Sequence, residues 1–213
     1  MPAGFCTFPG TLLMSPRIPS LSRLLVSLLV LFPLASLPVF AAEAGGEYTL
    51  SRQYGSVFFR VMFQQYLNMV GRFDQYAGTL FLDPENLANS RLTATVNMAS
   101  LNMAEADVIE TLVNSSSWFN ASLFPDATFT STSAVVTGAN QVDFVGELAF
   151  LGKTRPWTLH VTLYGGSDGE LGGSTVGMLG NGTLNRMEFG LDQYRNMAAD
   201  EVNIEVNVKF NRN

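Results

Sequence analysis

The side chains able to do chemistry are few and scattered. His160 is the single histidine of the 213 residues and Cys6 the single cysteine. An acyl-transfer triad would need His160 as its base. His160 instead shares the polar parity of a strand with Thr158 and Thr162, opposite Trp157, Leu159 and Val161, so it is expected to face solvent. A transition-metal site needs several His, Cys or carboxylate ligands converging, and no such set is visible. The pairs Asp107/Glu110 and Asp200/Glu201 stand in polar surroundings, whereas acid–base catalysis needs burial and a shifted pKa. No Asp-x-Asp-x-Asp-Gly calcium loop occurs. Gly177-Met178-Leu179-Gly180-Asn181-Gly182 looks like a phosphate loop, but such a loop opens a helix. Here Thr183-Leu184-Asn185-Arg186 continues as strand, and glycines in a strand mark a bend or room for a close approach. Asn114, Asn120 and Asn181 head matches to the glycosylation acceptor pattern. The expectation is a protein that is not an enzyme and holds no metal or cofactor.

The elements that carry these residues begin after an N-terminal leader. Arg17 and Arg23 are the only charges before Glu43, and Leu24-Leu25-Val26-Ser27-Leu28-Leu29-Val30-Leu31-Phe32 follows them. Small residues Ala41, Ala42 and Ala44 come next. A basic start, a short apolar run and a small-residue cut site read as a cleaved secretory signal over residues 1–44. The alternative, a membrane anchor, is disfavoured because Pro33 and Pro38 interrupt a run shorter than the roughly 20 residues a span needs. Cleavage after Ala41 or Ala44 removes Cys6, so the domain from residue 45 to 213 has no disulfide and depends on its core for stability. The remainder keeps ten basic and seventeen acidic side chains. Nucleic-acid binding, which needs a basic stripe, is not expected.

Past residue 46 the apolar pattern has period two. Val202, Ile204, Val206, Val208 and Phe210 alternate with Asn203, Glu205, Asn207 and Lys209. The same alternation runs through 57–63, 92–98, 142–150 and 157–163, one apolar and one wet face per strand. Asp83-Pro84-Glu85-Asn86, Thr137-Gly138-Ala139-Asn140, Gly152-Lys153-Thr154-Arg155-Pro156 and Gly165-Gly166-Ser167-Asp168-Gly169 separate the runs as turns. One stretch changes period: Ala104, Val108, Ile109, Leu112 and Val113 have helical spacing. Asn102 with Glu105 suggests a capping box, so a helix is expected near 103–113, closing one end. The pattern predicts an all-β antiparallel barrel of about eight strands with one short helix. A transmembrane barrel is disfavoured because the strands look short and no aromatic girdles recur. Twelve Phe and both Trp after the leader allow two interiors, a solid core or an elongated greasy cavity, since small barrels do either.

Several ordered motifs resemble the YceI family. Tyr48-Thr49-Leu50 with Ser56-Val57-Phe58-Phe59-Arg60-Val61 is similar to its opening strand. Gly71-Arg72-Phe73 and Gly78-Thr79-Leu80-Phe81-Leu82-Asp83-Pro84 follow in the family's order. So do Trp118-Phe119, Phe124-Pro125-Asp126-Ala127-Thr128-Phe129, and Gly146-Glu147-Leu148-Ala149-Phe150-Leu151-Gly152-Lys153-Thr154-Arg155-Pro156. Asn185-Arg186-Met187-Glu188-Phe189-Gly190 completes the set. The resemblance implies a lipocalin-like, periplasmic barrel that holds a polyisoprenoid, quinone or similar lipid. Three departures stand out. Tyr54-Gly55 takes the place of a frequent His-Ser pair, a second family histidine falls on Phe63, and a helix histidine falls near Leu112. These exchanges make the interior greasier and remove polar candidates.

On this reading Phe59, Val61, Phe63, Leu80, Leu148, Phe150, Leu159 and Val161 are expected to line the cavity. Arg72 and Arg186 are the candidates for a polar head, because a guanidinium suits phosphate. A membrane or another exported protein is the candidate partner, and nothing in the chain speaks to oligomeric state. The alternatives are a non-catalytic stress-related or redox-partner module with a filled core and, less favoured, a hydrolase using His160.

Overall fold

The computed structural model describes residues 45–166 and 169–213. The leader read over residues 1–44, and Ser167 and Asp168 of the glycine-rich loop, lie outside the described residues. The elements in chain order are β1 (Gly46–Phe63), β2 (Leu67–Phe73), β3 (Tyr76–Leu82), β4 (Arg91–Asn97), β5 (Leu101–Asn102), α1 (Ala106–Asn114), β6 (Asp126–Gly138), β7 (Gln141–Phe150), β8 (Lys153–Gly165), β9 (Thr175–Asn185) and β10 (Ala198–Arg212).

Eight strands close into an antiparallel ring, β1-β3-β4-β6-β7-β8-β9-β10 and back to β1. Closure satisfies the backbone groups that an open sheet would leave at its edges. The seam runs from Tyr48 opposite Arg212 to Phe63 opposite Ala198. β1 changes neighbours along its length. Residues 46–49 pair with β3, whereas 57–63 pair with β2, and β2 pairs in turn with β5. Between the two halves, 52–55 stand opposite Val208 alone, a bulge in which Tyr54 adopts a left-handed φ of 66°. A bulge of this kind bends the strand.

Most turns fall at their sequence signals, but Lys153-Thr154-Arg155-Pro156, expected as part of a reversal, is already strand β8, paired with Glu147–Phe150 of β7. Asp83 accepts hydrogen bonds from the backbone N–H of Glu85 (3.1 Å) and Asn86 (3.0 Å) and from the Asn89 amide (2.7 Å). β7 and β8 are joined by Leu151 and Gly152, both at positive φ (50° and 71°), the conformation of a two-residue hairpin turn. The helix differs from expectation at its start. Asn102 belongs to β5, and its amide donates to Asp74 at 2.8 Å rather than capping α1. Glu105 is the N-cap and its side chain makes no capping bond. The strand pairing with β2 outcompetes the local cap.

Parity decides what points inward, and depth decides how tightly it packs. Along β10, Phe210 and Val208 are buried while Val206, Ile204 and Val202 remain partly accessible although they share the inward parity. β1 shows the same gradient from Val57 and Phe59 to Val61 and Phe63. One end is solid: Tyr48, Leu80, Leu82, Val142, Phe144, Leu163 and Val176 are all fully enclosed. Each such side chain contributes on the order of 1.5–3 kcal/mol. The other end is hollow.

The strands are longer than the sequence suggested, with 18 residues in β1 and 15 in β10, so length does not argue against a membrane barrel. The outer faces do. They carry Arg60 paired with Glu205 (3.1 Å) and the polar Asn203, Asn207 and Lys209, whereas a membrane barrel turns its apolar faces outward. Among the described residues no helix is long and apolar enough to cross a membrane.

Candidate functional site

The hollow end encloses a cavity of about 570 Å³, within the size range of small-molecule sites. β1 contributes Val57, Phe59, Val61 and Phe63; β10 contributes Val202, Ile204, Val206, Val208 and Phe210. Ala94 and Val96 of β4, Leu148 and Phe150 of β7, and Trp157 and Leu159 of β8 complete the wall. Leu92 and Phe210 line the space yet are fully buried, so they mark its floor against the solid end. Beyond the strand ends, Val108 and Leu112 of α1, Trp118, Phe119 and Tyr194 close over the open end. The Trp118 and Tyr194 rings stack 6.0 Å apart, bridging the loops after α1 and before β10.

Rings hold the wall in place. Phe59, Phe73, Phe119, Phe150 and Phe189 form a chain with successive centroids 5.9, 6.2, 6.0 and 5.4 Å apart. Such pairs add roughly 0.5–1.5 kcal/mol each beyond their burial. Gly182 faces inward on β9 because a Cβ there would lie 2.4 Å from the Trp157 indole. That indole packs edge-on to Phe129 at 5.2 Å and donates from Nε1 to the Thr183 carbonyl at 2.9 Å. The glycines of β9 therefore make room for protein side chains, not for a phosphate.

Of the expected lining residues, Phe59, Val61, Phe63, Leu148, Phe150 and Leu159 border the cavity. Leu80 and Val161 do not; they are 0% and 3% exposed and belong to the packed interior. Leu159 and Val161 share a parity, but a step of two residues moves about 6–7 Å along the strand, which carries Val161 past the floor. Phe63 and Leu112, where the family resemblance would place histidines, line the cavity as hydrocarbon.

The two arginines differ in kind. Arg186 borders the cavity but is only 3% exposed, and its guanidinium is committed to the protein. Nε donates to the Ala199 carbonyl (2.8 Å), Nη1 to the carbonyls of Leu191 and Gln193, and Nη2 to that of Ala198 (3.0 Å). The Asp200 carboxylate lies 3.8 Å away. Burial pushes the Arg186 pKa down, with Asp200 opposing. A guanidinium has five N–H donors, so little capacity remains for a ligand head; Arg186 anchors the 186–200 segment that closes the mouth. Arg72 lies on the outer surface, where its Nε donates to Asp74 at 2.7 Å.

His160 is half-exposed on the outer wall, with Nδ1 2.8 Å from Asp143, away from the cavity. Among the described residues no three His, Cys, Asp or Glu side chains converge as a metal site would require. The residues expected to line the cavity did not include the upper residues of β10, although their apolar face is plain in the sequence, nor the lid residues Trp118 and Tyr194. The alternation of β10 was a usable signal for the first; the lid comes from loops, which carry no periodic signal.

The comparisons agree with this geometry. The family model for a YceI-like domain matches residues 48–210. A protein from Salmonella newport, "Protein YceI", is 31% identical over 181 residues, covering 84% of this chain and 94% of that protein. Burkholderia cenocepacia BcnA has the same fold, with a TM-score of 0.68 at 22% identity, over 75% of this chain and 98% of BcnA. The Campylobacter jejuni YceI protein aligns with a TM-score of 0.59 at 25% identity, over 67% of this chain and 84% of that one. A polyisoprenoid binding domain from Saccharophagus degradans aligns with a TM-score of 0.57 at 14% identity, over 78% of this chain and 98% of that domain. A closed eight-stranded barrel of this topology, matched along nearly its whole length, places the chain in the YceI family.

Proposed function

We propose that the barrel sequesters and carries a long apolar lipid of the isoprenoid type, and does so without catalysing a reaction. The observation that carries this reading is the hollow, hydrocarbon-lined upper half of the barrel, where inward side chains of β1, β4 and β10 face open volume instead of one another. Each methylene moved from water into such a space contributes about 0.8 kcal/mol, so affinity comes from length and not from a reactive group. The description of the Saccharophagus degradans relative as a polyisoprenoid binding domain points to the same class of ligand. The leader at 1–44, with Arg17, Arg23 and the following apolar run, supports export and work in the periplasm, where a free apolar chain would be exposed to water. His160, the residue a hydrolase would need, is on the outer wall.

The test is mass spectrometry of organic extracts from protein purified out of its native host. A co-purifying isoprenoid is the expected result. Repeated preparations with no bound lipid would count against the carrier reading.

A further inference from the structure

A second, smaller depression of about 270 Å³ opens on the side of the barrel where β1 parts from β3 and joins β2. Its walls are Arg52, Gly55 and Ser56 of the β1 bulge, Arg72 and Asp74 at the end of β2, and the rings of Phe58, Phe73 and Tyr76. Those three rings also border the main cavity, so the two spaces share that wall. Tyr76 is 8% exposed, and its hydroxyl makes no hydrogen bond among the described residues. The hydroxyl is aimed at the depression, since a Cβ on Gly55 would lie 2.7 Å from it. Burial disfavours its ionised form, and the positive fields of Arg52 and Arg72 both reach it. Arg72 is neutralised by Asp74, which is further engaged by Asn102. Arg52 has no ion pair among the described residues.

We infer that this depression is an anion subsite for the phosphate head of an amphiphile whose tail lies in the cavity. The inference rests on the carrier reading above. An anionic head has one better-suited place here. The mouth carries Glu105, Asp107 and Glu110 on or beside α1, and Arg186 there is committed to backbone carbonyls. The side depression supplies the unpaired guanidinium fork of Arg52, which matches phosphate, a free hydroxyl donor, and Arg72 already paired with Asp74. The Gly55 position leaves the hydroxyl uncovered, and the bulge projects Arg52 beside it.

The experiment compares binding of geranylgeranyl phosphate, geranylgeraniol and inorganic phosphate to the barrel, in the wild type and in the Arg52→Ala, Arg52→Lys and Tyr76→Phe variants. Arg52 is exposed and unpaired, so its replacement should leave the melting temperature unchanged. The wild type should prefer the phosphate over the alcohol by about tenfold or more, and added salt should erode that preference. Arg52→Ala should remove most of the preference without weakening the alcohol, with Arg52→Lys restoring part of it. Tyr76→Phe should weaken the phosphate alone. Equal affinity for phosphate and alcohol in the wild type, or an unchanged preference in Arg52→Ala, overturns the assignment. Inorganic phosphate binding as tightly as the prenyl phosphate also overturns it, because the head would then need no tail. Failure of the carrier reading is separately visible as no binding of geranylgeraniol to the wild type.

Discussion

Replacing Val206 by Trp tests the hollow half of the barrel against its solid half. Val206 points inward from β10 with Gly180 opposite on β9 and Val57 opposite on β1, and it borders the cavity. An indole there projects into open volume. Val142, by contrast, is 0% exposed and does not border the cavity. Adding bulk to a filled core costs typically about 1–3 kcal/mol, and for a domain of this size about 2–4 °C in Tm accompanies each kcal/mol. Val142→Trp should therefore melt several degrees below the wild type, while Val206→Trp should melt close to it. The effect on binding is the reverse. If the indole displaces one five-carbon isoprene unit, the loss is about 4 kcal/mol at roughly 0.8 kcal/mol per methylene. That is nearly three orders of magnitude in Kd at about 1.4 kcal/mol per tenfold. Thermal melts and displacement of a fluorescent apolar probe read the two effects separately. A Val206→Trp protein destabilised as much as Val142→Trp would refute the hollow interior, and one that bound the probe as well as wild type would remove the cavity from the mechanism.

Arg186→Lys should destabilise the mouth by at least about 3 kcal/mol, since several buried carbonyls lose their donor and each such group costs roughly 1–3 kcal/mol; denaturant unfolding measures it, and a change below about 1 kcal/mol would contradict the anchoring role. Gly182→Ala should push the Trp157 indole out of its slot, lowering stability by about 1–3 kcal/mol and altering the near-UV circular dichroism; an unchanged tryptophan signal would refute the close approach. Hydrogen bonds from Asn102 and Arg72 hold the Asp74 carboxyl below its ordinary value, as those from Asn89 and Asn86 do for Asp83. Their contribution is fully present above the unfolded value near 3.9 and is lost as pH falls through the depressed folded values. Asp83→Asn should accordingly flatten the acid limb of the stability-against-pH curve, and an unaltered acid limb would show that this turn does not contribute.

Much of the barrel was legible in the chain because a strand's period is two and one buried face forces strict alternation. The runs at 57–63, 142–150, 157–163 and 202–210 revealed both the element and its inward side, and the glycine-containing turns marked the hairpins, although the β7–β8 reversal takes Leu151 and Gly152 and leaves Lys153–Pro156 as strand. The helix start was misread: Asn102 with Glu105 has the spacing of a cap, but pairing with β2 and the Asp74 carboxylate claims Asn102 first. Depth along the barrel axis was not legible. Leu159 and Val161 have the same chemistry and parity, and only the ring of neighbours at each level decides that one faces a cavity and the other a packed wall. The same holds for Arg186 and Arg72, identical residue types in similar motifs. One is enclosed by four carbonyls of the segment that follows it, those of Leu191, Gln193, Ala198 and Ala199, and the other stands on an outer rim beside Arg52, twenty residues away in the chain. Alternation is a local property of the backbone, so it can be read from residues in order; volume and hydrogen-bond capacity are set by which distant segments meet, and those meet only once the sheet has closed.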